Sequence, residues 1–291
     1  TADAISLAST QAPSLASMNI TAPVGDGISA SSITGGLTLN RVSVTTAGDA
    51  GLTMTNVGGT IALGNVTFSG AELDLVRLQN TNLNATVNVT GTSTFSYPTV
   101  LAGAGGDAIL LLADGSSAFT VNVTGASFTN ISGQALQFGA TSGAATGTHG
   151  ITFANNISTV TVADRDGGVL VSGEASHVDV LTITGNTFSA PGGPDAISVV
   201  AGDSAAISGS IGSNTVQSPV VNGIGVQVTD TAQVRLTIAN NSITNAGGEG
   251  IQAANFTGVG TATLGLVLTN NQVSQHNLTP EVAWLAGIDF Y

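Results

Sequence analysis

The stretches NGIGVQV, residues 222–228, and VRLTIANNSI, residues 234–243, decide the fold of this chain. In both stretches apolar residues alternate with small or polar ones, as they do in a strand that buries one face. Ile224 and Val228 lie on the same side of the first strand, and an asparagine turn ends the second. A similar pair, GGEGIQA and LGLVLTNNQV, begins at Gly247. The chain is therefore built from a repeated unit.

The repeat occurs nine times when each copy is aligned on the first apolar residue of its first strand. These anchor residues are Ile28, Leu52, Val76, Ile109, Leu136, Val169, Ile197, Ile224 and Ile251. Successive anchors are 24 to 33 residues apart, which is too short for a pair of repeat helices or a propeller blade. We predict an all-β chain that forms a three-sided parallel solenoid of nine to ten coils of roughly 28 residues.

The turn after the second strand predicts a ladder of asparagines. Asn tolerates the left-handed backbone of a tight corner, and stacked amides can hydrogen-bond along the rod. We expect this role to be structural. The predicted ladder consists of Asn40, Asn65, Asn156, Asn186, Asn214, Asn241 and Asn271.

The Gly-Ile-x-Val and Asn-x-Ile phrases resemble the right-handed parallel β-helix of the pectin-lyase-like superfamily. The resemblance covers about residues 27–277 and implies a right-handed coil. The same coil resembles that of polysaccharide lyases and hydrolases, of phage tailspikes, and of bacterial autotransporter passengers and large surface exoproteins. The resemblance to the last two groups is the strongest. Because one fold serves many activities, the resemblance specifies the architecture better than the function.

The composition narrows the class of protein. The 291 residues carry a net charge of −13, with four arginines, no lysine and no cysteine. A phosphate-rich partner would be repelled, so nucleic-acid binding is not expected. Without cysteine there are no disulfides, thiolate metal sites or cysteine nucleophiles. The sequence contains no apolar run of about 18 residues that would span a membrane. These features favour an extracellular or cell-surface bacterial protein.

An acidic residue two or three positions before most anchors is the feature that the fold does not demand. Aspartate and glutamate can cap a turn by accepting hydrogen bonds from backbone amides, or they can bind calcium, which prefers hard oxygen ligands. Turn capping is the favoured interpretation, a calcium-binding edge is kept as the alternative, and no other cofactor is expected. The acidic positions are Asp26, Asp49, Asp74, Asp107, Asp166, Asp195 and Glu249.

A catalytic alternative rests on Asp164 and Asp166, with His149 and His177 as neighbours one coil away. Paired carboxylates could act as general acid and base on a glycoside. The sequence lacks the Asp-Asp pair, the Gly-His-Gly and the lysine motif of the polygalacturonases that this fold resembles. A solvated turn is therefore the favoured account of these residues.

The remaining apolar residues predict a core column and two ends. Phenylalanines that follow the Asn turn should stack inside the rod. We expect a degenerate coil or cap over residues 1–26, the solenoid over 27–277, and a cap or the start of a further region over 278–291. Solenoid ends leave strand edges that invite stacking unless they are capped. The phenylalanines are Phe68, Phe95, Phe128 and Phe188.

We therefore expect a non-catalytic extracellular solenoid that serves as a rigid spacer or as an adhesive surface module. Two alternatives remain open. One is a polysaccharide-active lyase or hydrolase that uses Asp164 and Asp166. The other is a subunit of an extracellular filament or surface layer that stacks end to end. The partners to be expected are a host surface, a glycan, or a second copy through the terminal coils.

Overall fold

The computed structural model describes residues 2–98, 106–140, 145–174, 177–256, 261–274 and 288–290, and it omits the side chains of residues 140, 174, 177, 179 and 288–290. Every described element is a β-strand, and every pairing between strands is parallel. The strands stack into a β-solenoid of about nine turns with a repeat of about 27 residues. The predicted fold class is confirmed.

The first strand of each coil belongs to row 1, an 11-stranded parallel sheet. All nine anchors occupy equivalent positions in this row, from Ile28 beside Leu52 to Ile224 beside Ile251. Row 1 also includes one strand before the first anchor and one after the last. Its members are β1 (Ile5–Ala8), β3 (Ile28–Ile33), β5 (Leu52–Val57), β8 (Val76–Thr81), β11 (Ile109–Asp114), β14 (Leu136–Ala140), β17 (Val169–Glu174), β20 (Asp195–Gly202), β23 (Asn222–Thr229), β26 (Ile251–Phe256) and β29 (Ile288–Phe290).

The second strand of each coil belongs to row 2. A long strand in this row, β4, pairs with both β6 and β7, so rows 2 and 3 form one 18-stranded sheet. Row 2 consists of β2 (Ser14–Thr21), β4 (Leu37–Thr45), β6 (Gly59–Gly64), β9 (Ala85–Thr90), β12 (Phe119–Thr124), β15 (Thr148–Ala154), β18 (His177–Thr184), β21 (Ala206–Gly212), β24 (Gln233–Ala239) and β27 (Thr263–Thr269).

Row 3 contains short strands of three residues each. From β5 onward each coil therefore has three strands, as the repeat predicts. The row 3 strands are β7 (Thr67–Ser69), β10 (Thr94–Ser96), β13 (Ser127–Thr129), β16 (Ile157–Thr159), β19 (Thr187–Ser189), β22 (Thr215–Gln217), β25 (Ser242–Thr244) and β28 (Gln272–Ser274).

The core is a continuous column of inward-facing side chains. The alternation read from the sequence holds in the ninth coil, where Ile224, Val226 and Val228 are fully buried. The predicted phenylalanine stack is confirmed: the ring centroids of Phe95 and Phe128 are 5.1 Å apart, with the rings 11° from parallel. Stacked rings of this kind add about 1 kcal/mol to the free energy gained from burial.

The stack continues through a residue that the sequence pattern did not identify. In β16 the inward position is Ser158, which pairs in register with Phe128 on one side and with Phe188 on the other. Phe153 of row 2 fills the space, with its ring 5.6 Å from Phe128 and 6.3 Å from Phe188. The column therefore remains aromatic from Phe68 to Phe188 although one row 3 position is a serine.

The two ends differ from the middle in the burial of their inward side chains. Ile5, Leu7 and Leu15 of the first coil pack on the core but are only partly buried. In β27 the inward residues Leu264 and Leu268 are likewise half-buried. Within the predicted C-terminal region 278–291, only 288–290 belong to the described residues, and they pair with β26.

Candidate functional sites

Five asparagines form a ladder at the corner between rows 2 and 3. The Nδ2 of each residue donates to the Oδ1 of the next one along the rod, over distances of 2.9–3.1 Å. The same Nδ2 also donates to a backbone carbonyl of the preceding coil, for example Asn214 to Ile183 O at 2.9 Å. The ladder consists of Asn156, Asn186, Asn214, Asn241 and Asn271.

The ladder also satisfies the backbone of the corner. The amide N–H of Asn186 donates to Asn214 Oδ1 at 3.0 Å, and that of Asn214 donates to Asn241 Oδ1 at 3.1 Å. Asn186 and Asn214 are 1% exposed, so an unpaired amide here would cost roughly 1–3 kcal/mol. The ladder therefore holds the fold together at a buried turn, and its amides are already occupied.

Asn40 and Asn65 lie outside this column, which corrects the predicted ladder. Asn40 pairs in register with Gly64, and the alignment of Ser43 with Thr67 places Val42 and Val66 at the ladder position. Asn65 instead adopts the left-handed conformation, with φ of 52°. The corner thus needs two residues with different roles. The first is left-handed, and the second carries the buried amide.

The column of acidic and amide side chains ahead of row 1 accepts hydrogen bonds from the next coil. Asp74 Oδ1 accepts from the backbone N–H of Asp107 at 2.9 Å, and Asn222 Oδ1 accepts from that of Glu249 at 2.9 Å. Asp26 Oδ1 likewise accepts from Ala50 N at 2.9 Å. Asp3 and Asp107 accept a backbone N–H in the same way, Asp195 accepts from Asn222 Nδ2, and Gln134 differs because its Nε2 donates to Asp166 Oδ2. We call this position the acceptor column, and its occupants are Asp3, Asp26, Asp74, Asp107, Gln134, Asp195, Asn222 and Glu249.

Glycine precedes an acceptor residue at several places where the carboxylate of the previous coil leaves no room for a Cβ. A Cβ on Gly106 would lie 2.2 Å from Asp74 Oδ1, and one on Gly133 would lie 2.3 Å from Asp107 Oδ1. Any larger residue would displace the carboxylate from the amide it caps. The Gly-Asp and Gly-Gln phrases of the sequence therefore follow from packing between coils.

Burial changes the acidity of several carboxyl groups in this region. Burial, with added repulsion from Asp74 and Asp166, raises the pKa of Asp107 to about 7. Burial also raises the pKa of Asp195, although hydrogen bonds from Asn222 and Ser198 counteract the rise. Burial also raises the pKa of Asp74. The hydrogen bond from the backbone amide of Asp107 and the Arg77 guanidinium, which is 3.6 Å away, lower this pKa by less than burial raises it.

The seven predicted calcium ligands do not all share one column. Asp49 and Asp166 lie one residue before it, and the anchor spacing puts Ala50 and Gly167 at the acceptor positions. Asp166 Oδ2 accepts from Gln134 Nε2 at 2.8 Å. Among the residues that the structure describes, no three histidine, aspartate or glutamate side chains are grouped as a metal site. Calcium binding stays the untested alternative to turn capping.

The predicted catalytic set is spread between the surface and the interior. Asp164 is exposed in a left-handed turn, with φ of 63°, while His149 is 1% exposed inside the core. His149 Nδ1 accepts from Phe119 N at 3.1 Å, and its ring centroid lies 4.7 Å from that of Phe138. The side chain of His177 lies outside the described residues. The structure thus separates Asp164 from His149.

Arg165, between the two predicted carboxylates, has a role that the sequence did not indicate. Its side chain is 5% exposed and runs back across two coils. The guanidinium donates to the carbonyl of Asn130 and, at 3.0 Å, to that of Pro98. The repeat pattern does not predict this residue, because the turn that contains it differs in length from the equivalent turns of the neighbouring coils.

The chain matches no protein-family model, no curated protein and no solved structure. The fold is therefore established by its own geometry, and kinship with pectin-lyase-like or autotransporter proteins remains a resemblance. Within the described ranges there is no helix at all, and so none that could cross a membrane.

Proposed function

We propose that this chain is a non-catalytic solenoid module of an exported bacterial protein and serves as a rigid spacer or an adhesive surface. The observation that supports this most is that the polar side chains of the ladder and of the acceptor column form their hydrogen bonds within the rod. The asparagines bond to each other and to buried carbonyls, and the acceptor column caps the next coil. A molecule whose polar groups bond along its own axis is suited to holding a fixed length.

The outward faces support a passive or adhesive role. Outward positions of row 3 are mostly serine and threonine, and Thr67 pairs in register with Thr94, as Ser69 does with Ser96. In row 2, Asn88 and Asn122 stack with an Nδ2 to Oδ1 distance of 2.9 Å. Such a wall is neutral and polar, so it stays soluble and can contact a surface through many weak hydrogen bonds.

The length of the module provides the test of the spacer role. Because Ile197 and Ile224 are in register, deletion of residues 197–223 removes one complete coil. We expect the shortened protein to fold and its long axis to decrease by about 4.8 Å. The distance between fluorescent or spin labels at fixed sites in the first and ninth coils would measure this change.

Deletion of residues 197–210 is the matched control, because it removes half a coil and puts row 1 out of register. This protein should not fold. A broad distribution of label distances in the intact chain would contradict the rigid spacer. Turnover of a polysaccharide that is abolished by both Asp164→Asn and Asp166→Asn would replace the proposal with the enzymatic alternative.

End-to-end stacking is a second candidate, favoured by the half-buried inward residues of the first coil. Ile5, Leu7 and Met18 face the core but lack a full covering layer. A second copy could pair with the edges of β1 and β2. Sedimentation over a wide concentration range should then show association that Leu7→Lys abolishes, whereas a strictly monomeric chain would reject it.

A further inference from the structure

Irregularities of the solenoid concentrate in one short part of the chain, around β15 to β18. The register between these two strands shifts at His149/Gly150, and the register between β18 and β21 shifts between Val178 and Leu181. In β16 the usual polarity is reversed, since Ile157 points outward and is 54% exposed while Ser158 is buried. Local rules are broken most often where a structure has a special role or stores strain.

Two different side-chain systems meet in this same part. The phenylalanine stack ends at Phe188, and the aliphatic Val216 takes the next position of the column. The asparagine ladder begins at Asn156. We call residues 28–140 the aromatic half, residues 190–274 the asparagine half, and residues 145–189 the junction between them. Gly167 interrupts the acceptor column here, as Ala50 does near the start of the aromatic half.

Arg165 lies in the junction, and its side chain bonds to two successive coils of the aromatic half. Its guanidinium bonds to the carbonyls of Asn130 and Pro98, which follow β13 and β10 on the same edge of the rod. A buried guanidinium is costly to desolvate unless its N–H groups are paired. Arg165 therefore links the junction to the last two coils before it by hydrogen bonds, and we call this link the strut.

We propose that the rod consists of two cooperative units that meet at the junction, and that Arg165 couples them. In stacked repeats each coil contacts only its neighbours, so stability is a sum of local and interface contributions. A weakened interface then allows one unit to open while the other remains folded. The strut makes this independent opening rarer without abolishing it, so it remains detectable by hydrogen exchange. The inference does not depend on the spacer or adhesive role.

Hydrogen exchange of the wild-type protein under native conditions is the first test. We expect two levels of protection, one for the buried amides of each half, that differ by at least about tenfold and change within residues 145–189. Uniform protection, or a gradual decrease from the middle to both ends without a step in that range, would overturn the proposal.

Urea unfolding of Arg165→Met is the second test, because methionine keeps the apolar length of the side chain and removes both hydrogen bonds. The wild type should unfold in one step and Arg165→Met in two steps, each matched to one half by exchange. Arg235→Met is the control, since Arg235 is exposed on row 2, and it should keep one step.

A single unfolding step of unchanged shape in Arg165→Met, with only a shifted midpoint, would show that Arg165 is a local stabiliser and overturn the coupling. If Arg165→Met does not fold, Arg165→Lys decides, because an ammonium can reach one of the two carbonyls at a time. It should broaden the transition or split it, and an unchanged sharp transition would again overturn the coupling.

Discussion

The aromatic half fills the inner column of row 3 with stacked rings, whereas the asparagine half fills it with aliphatic side chains and adds a ladder of amides at the adjacent corner. Phe95 in the first half corresponds to Ile243 in the second, and Val66 corresponds to Asn241. Both halves keep the same strand register in row 1. The two halves thus share one coil geometry. In the aromatic half it is stabilised mainly by the burial of rings, and in the asparagine half a chain of side-chain hydrogen bonds is added.

The corner therefore does not require asparagine for its shape. Val42, Val66 and Ala126 are each buried at the ladder position of the aromatic half. Where no asparagine follows, another group takes its place: Ser93 Oγ accepts from Val66 N at 3.3 Å. The asparagine ladder is one of several ways to pair the buried amides of this corner.

Truncation of the ring stack should give the largest effect. Phe128→Ala removes a ring that contacts Phe95 and Phe153 in a fully buried column, and such changes cost about 3–5 kcal/mol. Val216→Ala, at the same column in the asparagine half, should cost less because fewer atoms are removed. Urea denaturation measures both. Equal losses would mean that the rings add nothing to the aromatic half.

Removal of one ladder amide should come next. Asn214→Ala leaves Asn186 N and Ile183 O without their partners in a buried corner, at a cost of about 3 kcal/mol in the free energy of unfolding. Asn240→Gly is the control, because Asn240 is exposed, lies off the ladder and is left-handed. A loss below about 1 kcal/mol for Asn214→Ala would refute the ladder's structural role.

The pH dependence of stability should be weaker when Asp107 is neutralised. Burial raises the pKa of Asp107 to about 7, above the ordinary value of about 4, so between these pH values the folded protein binds more protons than the unfolded chain. The free energy of unfolding therefore falls as pH rises from about 4 to about 7 and levels off above that. Each unit of raised pKa contributes about 1.4 kcal/mol to this loss.

Asp107→Asn should flatten this decline, because an amide does not titrate in this pH range. The variant should still fold, because the amide oxygen can accept from Gln134 N. Asn222 already fills the same column in the other half, with its Oδ1 bonded to Glu249 N. Thermal melting of both proteins at pH 4.5 and pH 8 tests this. Asp26→Asn is the control, because Asp26 lies in the same column at a half-buried position. An unchanged difference in melting temperature between the two pH values in Asp107→Asn would assign the pH dependence to other carboxyl groups.

Relief of strain at the corner should give a small gain. Arg41 has a φ of 55°, the left-handed conformation that costs a residue with a Cβ about 1 kcal/mol. Arg41→Gly should raise the free energy of unfolding by up to that amount. The equivalent change in the asparagine half, Ser213→Gly at φ of 56°, should act in the same direction. Destabilisation by both would contradict the two-role corner.

Chelation should have the smallest effect. Because Asp74 and Asp26 already accept backbone amides, the acceptor column does not need an ion to be satisfied. Melting with EDTA and with added calcium should agree within about 1 °C. A calcium-dependent rise in melting temperature, lost in Asp74→Asn, would instead support the predicted metal edge.

The sequence predicted the anchors and the inner column because both follow from a strict alternation within strands. It misplaced Asn65 because the corner uses asparagine for two purposes, and the residue type alone does not distinguish a left-handed residue from one with a buried amide. It misplaced Asn40 by two positions, since Arg41 is the left-handed residue of that coil and Val42 lies at the ladder position. It did not identify Phe153, which reaches the column from another row, or Arg165, whose partners are carbonyls 35 and 67 residues away in sequence. Contacts between coils of unequal length have no periodic signal.

The glycine that precedes half of the acceptor-column residues also bears on how such a rod can grow or shrink in evolution. Gly106 and Gly133 leave room for a carboxylate from one neighbour, and the residues after them, Asp107 and Gln134, offer an amide to it. A coil with this glycine and amide therefore accommodates the carboxylate of any preceding coil of the same kind. Duplication of such a coil in the gene would need no compensating substitution where the two copies meet.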